Sequence, residues 1–140
     1  MSNLPAKIQA NIDIANLLIS PVGNPDNDKI AMDHLDSIIK QIKECYHKVY
    51  GNDIVEIFLY GSYARGDFSI DSEIDIAAIV RGERLELQEK LKKIWDISAQ
   101  IGLDNDIIVS PTVIPYDEFN KYKQSVSYYR NILEEGKKVG

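Results

Sequence analysis

The sequence predicts an α+β fold: a small mixed sheet in strand–turn–strand–helix–strand order, packed with helices and preceded by one additional helix. Three observations lead there. Two short runs rich in β-branched and aromatic residues, Ile54–Tyr60 and Ile74–Val80, flank a compact Gly/Ser/Asp-rich segment. Two longer stretches carry apolar residues at spacings of three and four, the mark of a one-sided helix. A third short apolar run follows the second of those helices.

Taken in order, Ile8, Ile12, Ala15 and Ile19 fall at helical spacing, and Ser20-Pro21-Val22-Gly23-Asn24-Pro25 then stops the pattern. From Asp28 to Tyr50 a longer helix is predicted from Ala31, Leu35, Ile38, Ile42, Cys45 and Val49, with Gly51 as its C-terminal cap. The strand 54–60 closes on Gly61, and the strand 74–80 closes on Arg81-Gly82. A helix over 83–101 places Leu87, Leu91, Ile94, Ser98 and Ile101 on one stripe, with Gly102 expected to end it. A third strand is expected over 106–110, stopped by Pro111, and one broken or two short helices over 116–135.

At 140 residues the chain suits one domain, 1–140, divided into a helical extension and loop over 1–27 and a core over 28–140. Its 44% hydrophobic and 27% charged residues are those of a globular protein, and no apolar run approaches the roughly 20 residues that span a bilayer. The N-terminus, broken by Gln9, Asn11, Asp13 and Asn16, does not read as a signal peptide, so a cytoplasmic protein without membrane attachment is expected. Cys45 stands alone, which excludes an internal disulfide and a cysteine-based zinc site, and it reads as a core residue. His34 and His47 lack ligand spacing. The net charge of −6 counts against nucleic-acid binding, which relies on basic residues at phosphates.

The chemistry concentrates in Gly61-Ser62-Tyr63-Ala64-Arg65-Gly66-Asp67 and in Glu73-Ile74-Asp75. Ser62 is expected to cap a short helix whose free amides face the end of the first strand, a place that suits an anion. Glu73 and Asp75, two apart on a strand, leave the same face side by side. Two anions so placed repel, whereas a pair of divalent cations about 3.5–4 Å apart would bridge them to phosphate oxygens. The short connection between the first two strands favours an antiparallel pair, and the helical connection to the third favours a parallel one. The end of the first strand, the start of the second and the start of the third, bearing Asp106, would then meet at one sheet edge. Asp104 shares the parity of Asp106 and is the alternative third acid.

Gly-Ser, ten intervening residues and then acid-x-Asp resembles the nucleotidyltransferase superfamily of DNA polymerase beta, and more narrowly its minimal nucleotidyltransferases. Ser72-Glu73-Ile74-Asp75-Ile76-Ala77, Asp106-Ile107-Ile108-Val109 and the closing Tyr129-Arg130-Asn131-Ile132-Leu133-Glu134-Glu135-Gly136 are each similar to that family, over about residues 30 to 139. One residue departs from the pattern: the family usually has Asp where this chain has Glu73.

The resemblance implies a nucleotidyltransferase-like sheet and a transferase that takes ATP as donor with two Mg2+ ions. Gly61 and Ser62 would lie at the β and γ phosphates, Glu73, Asp75 and Asp106 would be the catalytic and metal-holding acids, and Arg65 would stabilise the triphosphate or pair with Asp67 or Asp71. It also implies a protein acceptor: small members are often antitoxins that adenylylate a HEPN-type toxin. Two other readings stay open, a partner-binding antitoxin module without turnover and a small-molecule transferase resembling those that modify aminoglycosides. The first helix is available to a partner or to self-association, which leaves a homo-oligomer open. Tyr122, Tyr128 and Tyr129 read as packing residues that could instead stack a base.

Overall fold

The computed structural model describes residues 25–140, with side chains from residue 34 onward. The helix expected over 5–19 lies outside the described residues. Helix α1 spans Pro25–Tyr50. Gly51, at φ +59°, ends it and opens a single 3₁₀ turn, Gly51–Asp53. Strand β1 (Ile54–Tyr60), a one-turn helix α2 (Ser62–Arg65), strand β2 (Ile74–Val80) and helix α3 (Arg84–Asn105) follow. Strand β3 (Val109–Pro115), helices α4 (Tyr116–Tyr122) and α5 (Ser127–Glu135) and a two-residue strand β4 (Lys137–Lys138) complete the chain. The chain divides between Ile38 and Ile39, and of the first unit the described part is the opening of α1.

The four strands form one mixed sheet in the order β3-β2-β1-β4. β1 pairs antiparallel with β2, β2 parallel with β3, and β1 antiparallel with β4. The connection lengths predicted the first two pairings. The third was not foreseen, because two lysines after a glycine carry no strand signal. It is extended by Val139 N–H donating to the Ile57 carbonyl at 2.9 Å and Ile57 N–H to the Gly140 carbonyl at 3.1 Å.

Side-chain alternation gives the sheet two faces. Phe58, Ala77, Ile79 and Ile114 point to one, where Phe119 of α4 and Ile132 of α5 complete a buried cluster. Ile57, Leu59, Ile76, Ala78 and Val113 point to the other. There α3 packs along β3, with Leu87, Leu91, Ile94, Ser98 and Ile101 buried as its stripe predicted. On the same side α1 sends down Tyr46, fully buried, whose hydroxyl donates to the Thr112 carbonyl (2.8 Å) and accepts the Thr112 N–H (3.1 Å). The Tyr50 hydroxyl donates to the Leu87 carbonyl at 2.8 Å and so ties α1 to α3.

Three boundaries depart from the sequence expectation: Pro111 does not stop β3, which runs on to Pro115 as an edge strand that tolerates proline, and the other two share a cause. Helix α3 does not stop at Gly102 but continues to Asn105. Gly102 is instead buried where the returning Ile107 carbonyl lies against its Cα, so a side chain there would collide with the backbone. The helix ends at Asp106, the one non-glycine residue with positive φ (+55°) among those described, and β3 begins at Val109 rather than at 106.

Candidate active site

Gly61 follows β1 with φ +74° and ψ −156°, a conformation open to glycine alone. A Cβ on Gly61 would stand 2.5 Å from Asp75 Oδ2, so the carboxylate lies directly against the backbone of the turn. The register explains the meeting: Tyr60 is the cross-strand partner of Asp75, one residue before the turn. Gly61 is also the N-cap of α2, with its carbonyl accepting the Ala64 and Arg65 amides at 3.1 Å each.

Ser62 is therefore the first residue of α2 and not its cap, and no side chain caps this helix. Its half-buried hydroxyl takes part in none of the hydrogen bonds among the described residues. Arg65, one turn on, is exposed; its Nε donates to Asp67 Oδ2 at 3.2 Å and its guanidinium reaches Glu135 Oε2 at 3.4 Å. Asp71 is not a partner.

Asp75 is half-buried on β2, and Glu73 is exposed just before the strand. Burial pushes the Asp75 carboxyl above its usual range, the charge of Glu73 raises it further, and Arg65 opposes both. Two like charges held together in this way are what a cation would relieve. Asp106 is the exposed cap of α3, and the charges acting on Asp75 are those of Glu73 and Arg65. Asp104, on the last turn of α3, accepts from the Gln100 side chain at 2.9 Å. The β3 residue registered with Asp75 is Ser110. Among the described residues no three of His, Cys, Asp or Glu converge to hold a metal between them. The donor set that does form, two neighbouring carboxylates beside a turn with an uncommitted hydroxyl, fits Mg2+, a cation commonly bound by one or two carboxylates together with substrate phosphates.

Beside this turn opens a cleft of about 410 Å³ lined by Tyr60, Gly61, Arg65, Tyr128, Asn131 and Glu135. The Tyr60 and Tyr128 hydroxyls are 2.7 Å apart and their ring centroids 5.8 Å. Burial raises the Tyr60 phenol well above its ordinary value, helped by the Tyr128 hydrogen bond and by the charge of Asp75. Tyr129 turns away from the cleft, donating to Glu118 Oε2 at 2.5 Å, where Glu118 also pairs with Arg84. Sequence reasoning missed Tyr60, Asn131 and Glu135 as neighbours of the site. The signals were present: Tyr60 directly precedes Gly61, and positions 128, 131 and 135 share one stripe of a helix.

The nucleotidyltransferase domain model matches residues 38–139. The chain belongs to the nucleotidyltransferase family. Two proteins of Methanocaldococcus jannaschii, provisionally named protein adenylyltransferases, are similar to it. One is 36% identical over 76 residues, covering 54% of this chain and 75% of the relative. The other is 32% identical over 99 residues, covering 71% and 91%. Among solved structures, a substituted MntA–HpeT toxin–antitoxin aligns with a TM-score of 0.44 at 18% identity over 71% of this chain and 69% of the other. A toxin–antitoxin structure with AMP-PNP aligns with a TM-score of 0.43, also at 18% identity, over 74% and 70%. In this nucleotidyltransferase the matched region takes in the Gly61–Ser62 turn, both carboxylates and the whole of α5. No described helix is long and apolar enough to cross a membrane.

Proposed function

We propose that this nucleotidyltransferase moves AMP from ATP to a hydroxyl of a protein acceptor, and that the acceptor is a HEPN-type toxin for which the chain is the antitoxin. The observation that supports the chemistry best is the Asp75 carboxylate lying against Gly61, beside the uncommitted hydroxyl of Ser62. The names of the two relatives support a protein acceptor, and the family resemblance supports the toxin. Gly61 and Ser62 would bind the β and γ phosphates through backbone amide and hydroxyl. Arg65 would trade a carboxylate for a phosphate oxygen.

Glu73 and Asp75 would hold the Mg2+ ions, with Asp106 as the third acid; bound Mg2+ would neutralise charge on the phosphates and lower the acceptor's pKa. The acceptor hydroxyl would lose its proton to solvent as its oxygen attacks the α phosphorus in line, the bond to the bridging oxygen of the β phosphate would break, and pyrophosphate would leave. Placement of the acceptor and the phosphates falls to the turn and the sheet edge, where an error of roughly 1 Å is costly to rate.

The purified chain, incubated with Mg2+, α-labelled ATP and the product of a neighbouring gene, should label that product, and Asp106→Asn should reduce the labelling. Absence of label on every candidate acceptor overturns the transfer. A second reading, an antitoxin module that binds its partner without turnover, draws support from Glu73 in the family's Asp position and from the lack, among the described residues, of three acids converging on one metal site. Label that appears only with Glu73→Asp would select it.

A further inference from the structure

We propose that the cleft between β1 and α5 seats the nucleoside of the donor, with its base stacked on Tyr128 and its edge read by Asn131. This rests on the transferase reading and extends it to Tyr128 and Asn131, residues to which that reading gives no role. Position is the first argument. Gly61 is both the residue against which Asp75 lies and part of the cleft wall. Tyr60, also in the wall, is the register partner of Asp75, and the charge of that carboxylate is felt at its phenol. A triphosphate lodged at Gly61–Ser62 therefore has this cleft as its immediate continuation.

Size and chemistry agree with the position. A volume of about 410 Å³ lies within the range of roughly 300–1,000 Å³ usual for small-molecule sites. Tyr128 is 42% exposed, yet its ring is held through the hydroxyl contact with Tyr60. A large aromatic surface that is both accessible and fixed loses little freedom when a base lies on it. Asn131 is exposed one turn further along α5, and its amide, a donor and acceptor pair, takes part in no hydrogen bond among the described residues. Glu135, at the next turn, is engaged by Arg65, which closes the cleft at the end nearer the phosphates.

The occupant to be distinguished is the acceptor, which could use the same aromatic wall. Calorimetry in Mg2+ with two ligands, the ATP analogue carrying a methylene bridge between its α and β phosphorus atoms and inorganic tripolyphosphate, separates the cases. Tyr128→Ala and Asn131→Ala should each weaken the analogue on the order of tenfold and leave tripolyphosphate unchanged, while Tyr128→Phe, which keeps the ring but not its tie to Tyr60, should weaken the analogue clearly less than Tyr128→Ala does. Analogue binding unaltered in Tyr128→Ala and Asn131→Ala overturns the proposal, and so does an equal loss for both ligands. If the native chain binds neither ligand, the transferase reading itself fails, whereas analogue binding that Ser62→Ala weakens and neither Tyr128→Ala nor Asn131→Ala alters leaves that reading standing and removes the cleft from it.

Discussion

The two faces of the sheet are built from the same strands and end differently. Under α1 and α3 the face is apolar along its length, and the buried Tyr46 hydroxyl that enters it is fully paired. Under α4 and α5 the face starts the same way with Phe58, Ala77, Ile79 and Ile114, then becomes polar at Tyr60 and Asp75 where the helical cover thins into the cleft. One face serves cohesion throughout. The other serves cohesion at one end and chemistry at the other, so substitutions only two residues apart on one strand should affect different properties.

The largest effect expected is that of Asp75→Asn. Transfer should fall by about 10²–10³-fold or more in the labelling assay. Thermal stability should hold or rise, since the native carboxyl is raised by burial and by Glu73. A clear loss of melting temperature would show that Asp75 belongs to the cohesive end after all. Next is Gly61→Ala, which places a Cβ on the Asp75 carboxylate and demands a backbone conformation that alanine resists. Both transfer and stability should suffer, the latter by about 1–3 kcal/mol in urea unfolding, and a variant as active as the native chain would mean the close approach is dispensable.

On the opposite face, Tyr46→Phe leaves the Thr112 N–H and carbonyl without their hydroxyl and should destabilise by about 1–3 kcal/mol, with nucleotide affinity unchanged when measured well below the melting temperature. Altered affinity would mean that the two faces are coupled. Smallest is Ser98→Ala on α3. The Ser98 hydroxyl is buried without a hydrogen-bond partner, so its removal should be neutral or raise stability by up to about 1 kcal/mol. A measurable drop by differential scanning calorimetry would reveal a partner for it.

The cohesive face was nearly all legible in the sequence, because Ile74–Val80 is an apolar run buried at every position but Asp75, and the helix beside it buries a regular stripe from Leu87 to Ile101. The active end was legible only where the signal was local. Gly61, Ser62, Glu73 and Asp75 could be placed from one hairpin. Asp106 could not, because the apolar pair Ile107-Ile108 reads as strand while the backbone is still turning out of α3, and Ile108 is 61% exposed. The helix end was hidden for the same reason: Gly102 signals a cap in sequence but is needed for a close passage of backbone. Tyr60, Asn131 and Glu135 meet through tertiary packing across about seventy positions, which no periodicity encodes.

The edge strand β3 sets a limit on how a second protein can approach. The Ile74 N–H donates to the Ile108 carbonyl at 2.9 Å, so even-numbered residues of this strand turn their backbone groups inward to β2 and odd-numbered ones turn them outward. Proline occupies two of the outward places, 111 and 115, and neither can donate. A foreign strand aligned there would find gaps in the ladder that it needs, which discourages open-ended stacking of molecules edge to edge. Strand addition at β3 is thus a poor way to dock on this enzyme, and surfaces away from that edge can change what they bind without disturbing the sheet.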